Sequence, residues 1–317
     1  MTSRFVPLAV DPASVPTVPA WATPRAPLES QTDAAYMAGS ALNSLDKLVF
    51  SDAPWLGAWR HRLALRAAAS TVKLLGRSES ELELRDAWLL RAPGDEPGPA
   101  GSVLSAWRRL VGRSSTPEIE ALATVAQLLG TKTSAKRDGL VDLLAEISAA
   151  SAPAPIVAAE VGNAVIRREP VAEALAWWMA DLALSLRMRW PLPIPILASQ
   201  MHSPLLRLGS GRVRARPGGE GFERGCLIAA AAGAAEACKL ASAMAVRAQR
   251  LQAVAPRLRS KGAGEVIELL LNEDAVSGSL TTKTLSRWAS RRLFERLLAL
   301  EAVRELSGRD SFRLFGL

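Results

Sequence analysis

The chain has 317 residues, 49% of them apolar and only 5% aromatic, with 39 Lys and Arg against 31 Asp and Glu. It is long enough to bury a sizeable core in one to three domains, and its wealth of Ala and Leu favours helices over sheets, since these residues lose little free energy in a helix. The two cysteines, twelve positions apart on one helical stretch, lie about 18 Å apart by helical rise and cannot bridge each other, so they are expected as small buried residues in a reducing compartment.

In chain order, residues 1–30 are rich in Pro, Val and Ala and read as a flexible arm with no signal peptide. Residues 31–261 read as a helical body. Its first helix is predicted over Thr32–Val49, from the spacing of Met37, Ala41, Leu42, Leu45 and Leu48, and Ser51–Pro54 stops it. A second runs from Trp55 to Leu75 and ends at Gly76. Ser78 and Glu81 have the spacing of a capping box that opens a third helix through Leu90. Three prolines and three glycines make Ala92–Gly101 a loop. Helices follow over Ser102–Val111, Pro117–Leu129 (with Thr116 as N-cap), Arg137–Ala149, Ile156–Arg167 and Pro170–Met188. The alternating prolines of Trp190–Ile196 forbid helix and predict an extended apolar strip buried against helices. Gly209–Gly219 is a basic loop, and a long helix over Phe222–Leu258 is expected to bend near Pro256. Glu236 and Lys239, like Asp181 and Arg187 further upstream, interrupt the apolar runs, so no membrane span is expected and the chain reads as cytoplasmic.

Positive charge is concentrated. Residues 204–261 hold 11 basic and 3 acidic residues, whereas the segments on either side are balanced. A localised excess of this kind suits a polyanion better than a high overall pI does. Signals for chemistry are sparse. Two histidines, His61 and His202, with no HExxH or CxxC spacing, argue against a metal site. Neither GxSxG, GxxxxGK[ST] nor GxGxxG occurs, so no cofactor is expected and the reading leans away from an enzyme. The one pocket suggested for an enzyme would gather Arg85, Asp86, Asp95 and Glu96. Most of the nine tryptophans fall in apolar helical segments, where core packing is the default.

Residues 262–317 carry the clearest organisation. A helix over Leu285–Leu300, a strand over Ala302–Leu306, a turn at Ser307–Asp310 and a strand over Ser311–Phe315 follow the order of a winged helix-turn-helix. Leu285, Trp288, Leu293, Leu297 and Leu300 are expected to face inward, with Val303, Phe312 and Leu314 closing the small core. Ser286, Arg287, Ser290 and Arg291 then face outward near the helix start, where a recognition helix meets base edges, and Arg309 sits in the turn. Arg212, Arg214 and Arg216 of the basic loop would add nonspecific attraction to phosphates. The fold class expected is therefore all-α, a multi-helical body with a small C-terminal winged module. The leading expectation is a non-enzymatic protein that binds duplex DNA. Its rival is a scaffold whose winged module docks a protein partner or a second copy.

The stretches WRHRLALRAAA (Trp59–Ala69), LRDAWLLRAPGDEPGPAG (Leu84–Gly101), RWPLPIPILASQ (Arg189–Gln200), RLRSKGAG (Arg257–Gly264) and RRLFERLLALEAVRELSGRDSFRLFGL (Arg291–Leu317) resemble the DUF1403 proteins, an uncharacterised alphaproteobacterial family. The resemblance covers nearly the whole chain after the arm and implies no assigned chemistry. The layout is also similar to helical proteins with a DUF1612 region that are sometimes labelled Fic-like. The HPFxxGNGR motif of true Fic enzymes is missing, so nucleotidyl transfer does not carry over.

Overall fold

The computed structural model describes residues 11–91, 94–112, 119–131, 138–149, 151–209, 213–258, 260 and 262–317. Among the described residues there are eleven α-helices and two small antiparallel sheets, so the chain is mostly helical. It divides into two compact units. One takes in residues 51–62 and 239–317 together with 11–16; the other takes in 17–50 and 63–238. The C-terminal elements thus share a unit with chain from much earlier in the sequence.

The larger unit begins with α1 (Gln31–Val49), opened by Ser30, whose side chain accepts from the Asp33 amide. Residues 17–30 do not behave as the expected arm. Ala20–Ala22 form a turn of 3-10 helix, Ala22 is fully buried, and Trp21 stacks on Tyr36 of α1 at 5.5 Å. Helix α2 (Leu56–Leu74) passes from one unit into the other, and α3 (Glu81–Leu89), α4 (Gly98–Val111), α5 (Ile119–Leu128), α6 (Asp138–Ala149), α7 (Ala154–Arg168) and α8 (Glu173–Arg187) follow. The capping box that opens α3 is formed by Ser80 and Glu83, not by Ser78 and Glu81. Helix α4 starts four residues earlier than predicted, inside the Pro/Gly stretch, because a proline in the first turn has no amide to lose. The predicted N-cap Thr116 lies outside the described residues.

Helix α8 is buried from Ala174 to Ser185, and α7 packs along it. The proline strip is irregular, as its sequence dictates, and α8 holds it by two polar side chains. Asp181, wholly buried, accepts from the amides of Ile196 (2.9 Å), Leu197 (2.8 Å) and Ala198 (3.0 Å). Ser185 Oγ accepts from the Ile194 amide (3.1 Å) and donates to the Asp181 carbonyl (2.9 Å). Four amides of a segment without strand partners are thus satisfied by two side chains one helical turn apart.

After a two-stranded ribbon, β1 (Arg207–Leu208) with β2 (Val213–Arg214), comes α9 (Phe222–Val254), which ends in 3-10 turns at Ala255–Arg257, close to the predicted bend. The helical stretch Phe222–Arg257 is long and apolar enough to cross a membrane by length and composition, and 72% of its most apolar part is buried within the fold. Its cysteines are buried, and burial pushes the Cys238 thiol up to about 12 and the Cys226 thiol well above its ordinary value. The abundance of Ala and Gly lets neighbours approach closely. A Cβ on Gly233 would drive into the Ile196 carbonyl oxygen of the proline strip. Gly233→Ala is accordingly expected to lower stability by about 1–3 kcal/mol, the cost of overpacking, and a Tm within a degree of the parent would contradict this contact.

The smaller unit contains α10 (Ala263–Asn272), β3 (Val276–Ser277), α11 (Arg287–Ala299), β4 (Arg304–Glu305) and β5 (Leu314–Gly316). The three strands pair antiparallel in the order β3–β5–β4, with Val276 and Glu305 flanking Phe315. Strand β3 has no counterpart in the sequence reading. Phe315 stacks on Phe294 of α11 at 4.7 Å, and Leu293, Leu297, Val303 and Leu314 close around them. This stack sets the rotation of α11. Its buried stripe is Ser290, Leu293, Phe294 and Leu297, so Trp288 and Leu300, expected inside, are 68% and 38% exposed. Phe312, also expected inside, is 61% exposed, and Phe315 takes its place. Behind this core Arg62 is buried; its Nε donates to Asp274 Oδ1, and Nη2 donates to the Asp274 and Leu317 carbonyls (3.0 and 3.5 Å).

Candidate nucleic-acid interface

Helix α11 is capped by Ser286, whose Oγ accepts from the Ala289 amide at 3.3 Å, so the exposed hydroxyl expected to meet a ligand already has a structural task. The serine–arginine sequence opening this helix places Arg287, Arg291, Arg292 and Arg296 at the surface, with Glu295 the one acid among its thirteen residues. Arg287 makes no hydrogen bond or ion pair among the described residues, and Arg291 leans over the exposed Trp288 ring at 5.4 Å. Ser290 is a correction. It is fully buried, its hydroxyl lacks a hydrogen-bond partner among the described residues, and it cannot touch a surface ligand, because the Phe294–Phe315 stack turns that face inward.

Arg309 lies in the turn as expected but is tied to it, donating to the Phe312 carbonyl from Nε (3.3 Å) and Nη2 (3.0 Å). Arg212 lies outside the described residues. Arg214 is a second correction. It is half-buried in the larger unit, where Nη1 donates to the Met201 carbonyl and Nη2 to Glu173 (2.9 Å), so it braces the fold. Arg216 is exposed and faces Glu173 at 4.0 Å. Of the proposed contacts, the structure thus brings together Ser286, Arg287, Arg291 and Arg309 in one unit and leaves Arg214 and Arg216 in the other.

Charge in residues 262–317 cancels in the sequence but not in space. Asp274 is taken by Arg62 and Glu301 by Arg250 (2.8 Å), both arginines from outside the segment. Glu305 is taken by Arg313 (2.9 Å), and that bond holds its carboxyl below the ordinary range. Glu265, on α10, is kept below its ordinary value by hydrogen bonds from Thr282 and Thr284. These four carboxylates are taken by partners other than the surface arginines of α11, whose acidic neighbours are Glu295 on the same helix and Asp310, which a sum over residues does not reveal.

Between the start of α11 and the turn before β5 is a cleft of about 220 Å³. Arg287, Arg291 and Glu295 of α11 line it together with Asp310 and Phe312 of the turn and with the stacked Phe294 and Phe315. Phe312 has φ +52°, in the left-handed region that an aromatic residue rarely adopts. Nothing in the helical periodicity signals Phe312 or the exposed Trp288 as surface residues. The pocket suggested for an enzyme fares otherwise. Arg85 is buried beside Glu81 (3.5 Å), while Asp95 and Glu96 are exposed. No group of three His, Cys, Asp or Glu able to hold a metal occurs among the described residues.

Fold and surface together define a mostly helical protein that ends in a helix–strand–helix–strand–strand unit with an arginine-rich helix. The chain belongs to a family described as "Protein of unknown function (DUF1403)", whose model matches residues 7–317. No curated protein matches it. No solved structure matches it.

Proposed function

We propose that α10 to β5 is a winged-helix-like module and that the chain is a cytoplasmic, non-enzymatic protein that associates with duplex DNA through α11. The reading is supported by the succession of elements and by the β3–β5–β4 sheet packed behind α11. One departure stands out: residues 281–286, just ahead of α11, are not helical, so no helix there braces α11 against the backbone. The observation that carries the proposal is the exposed set Arg287, Arg291, Arg292 and Arg296 on one helix. Such a set meets phosphates first, and base edges only if the helix enters the major groove.

The test is binding of blunt duplex DNA by fluorescence anisotropy across a salt series. Affinity is expected to fall steeply with salt, and Arg287→Ala with Arg291→Ala to reduce the log–log slope by about 2, one unit per lost phosphate contact. An unchanged slope, or no binding at low salt, rejects the proposal. The exposed Trp288 favours a second reading, in which the module docks a protein or a second copy. Trp288→Ser would then abolish self-association in sedimentation while the DNA assay stays silent.

A further inference from the structure

Phe312 combines two properties that the fold does not require. Its backbone sits at φ +52°, a conformation that favours glycine, and its ring is 61% exposed. The hydrogen bonds from Arg309 go to its carbonyl, which any residue supplies. Strain retained at an exposed aromatic on the lip of a cleft points to a ligand that uses the ring. The helix side of the lining offers the guanidinium of Arg287, without partners among the described residues, and that of Arg291. Glu295 and Asp310 also line the cleft, so a purely anionic ligand would meet repulsion as well as attraction. A ligand with an anionic end and a flat end bearing hydrogen-bond donors suits this lining.

We propose that this cleft holds a single nucleotide unit, its phosphate on Arg287 and Arg291, its base stacked on Phe312 with an exocyclic amine toward Asp310. The proposal deepens the nucleic-acid reading and shares its arginines. The nucleotide comes either from an unpaired strand end beside a duplex or from a free nucleotide, and the same chemistry recognises both.

The experiment compares the full chain with Phe312→Gly on three probes: a blunt duplex, the same duplex with an unpaired adenine tail, and dAMP as competitor. The tailed duplex is expected to bind roughly tenfold tighter than the blunt one, a single base-stacking contribution, and Phe312→Gly to erase that difference while leaving blunt binding unchanged. Competition by dAMP that removes the tail preference places free nucleotide in the same cleft. If the blunt duplex does not bind but the tail or dAMP does, in a Phe312-dependent way, the cleft stands and the duplex reading fails. Equal affinity for tailed and blunt duplex with no effect of dAMP overturns the proposal, as does an equal loss on both duplexes in Phe312→Gly. Glycine suits the backbone here, so the Tm of Phe312→Gly should be unchanged or higher. A drop of several degrees would make the ring a packing element and also overturn it.

Discussion

Asp181→Ala is expected to destabilise the larger unit by at least about 3 kcal/mol. The wholly buried carboxylate accepts from three consecutive amides, Ile196 at the end of the proline strip and Leu197 and Ala198 just after it. Each buried amide left without a partner costs about 1–3 kcal/mol. The lower end of that range applies, because the substitution also removes a buried charge. Burial pushes the Asp181 carboxyl up from its ordinary 3.8 to about 7, outweighing the three amides that pull it down. A group whose proton is held more tightly in the folded chain stabilises most below its unfolded value. That contribution is lost as pH rises from near 4 through about 7. Asp181→Asn keeps one carbonyl acceptor but points an amide at the Ala198 N–H. It should therefore be less stable than the parent and lack this loss between pH 4 and 7. Denaturant titrations of the three proteins across that range decide the matter. A parent whose stability rises over the interval would show that the amides, not burial, dominate.

The second large effect concerns Arg62. Its guanidinium is 2% exposed and donates to Asp274, itself 6% exposed, as well as to two backbone carbonyls at the C-terminal elements. Arg62→Met removes the cation bonded to the buried Asp274 carboxylate and is expected to cost about 3–5 kcal/mol. Removing both charges, as Arg62→Met with Asp274→Leu, should recover part of the loss, because two apolar residues leave no buried charge without its partner. Chemical denaturation of the single and double variants measures the coupling. Additive losses would mean that the pair contributes nothing as a pair. The link matters for function, since Asp274 lies two residues before β3, which pairs with β5 in the sheet against which α11 is packed.

The helices were readable because their signals are local. Apolar spacing placed α1, α7 and α8 within a few residues, and Pro256 marked the end of α9. The capping box was displaced by two residues because Ser78 with Glu81 and Ser80 with Glu83 offer the same chemistry at the same spacing, so local sequence does not select between them. The face of α11 was harder. Trp288 and Leu300 fit a helical stripe as well as Phe294 does, and the choice is made by Phe315, twenty-one residues further on. The basic loop illustrates the same limit. Arg214 and Arg216 look alike in the sequence, yet Glu173 and the Met201 carbonyl take the first and leave the second exposed. The zero net charge of residues 262–317 concealed the arginine face of α11, because two of the segment's carboxylates, Asp274 and Glu301, are answered by Arg62 and Arg250 from distant parts of the chain.

The two thiols of α9 are sealed in the interior and hold their protons far above neutral pH. At pH 7 neither offers a reactive thiolate to a maleimide. A cysteine placed at the exposed Ser311, on the rim of the cleft, would then take a fluorophore alone, with no need for a cysteine-free background. The native chain is thus already suited to site-directed labelling, and a dye at that position would report occupancy directly.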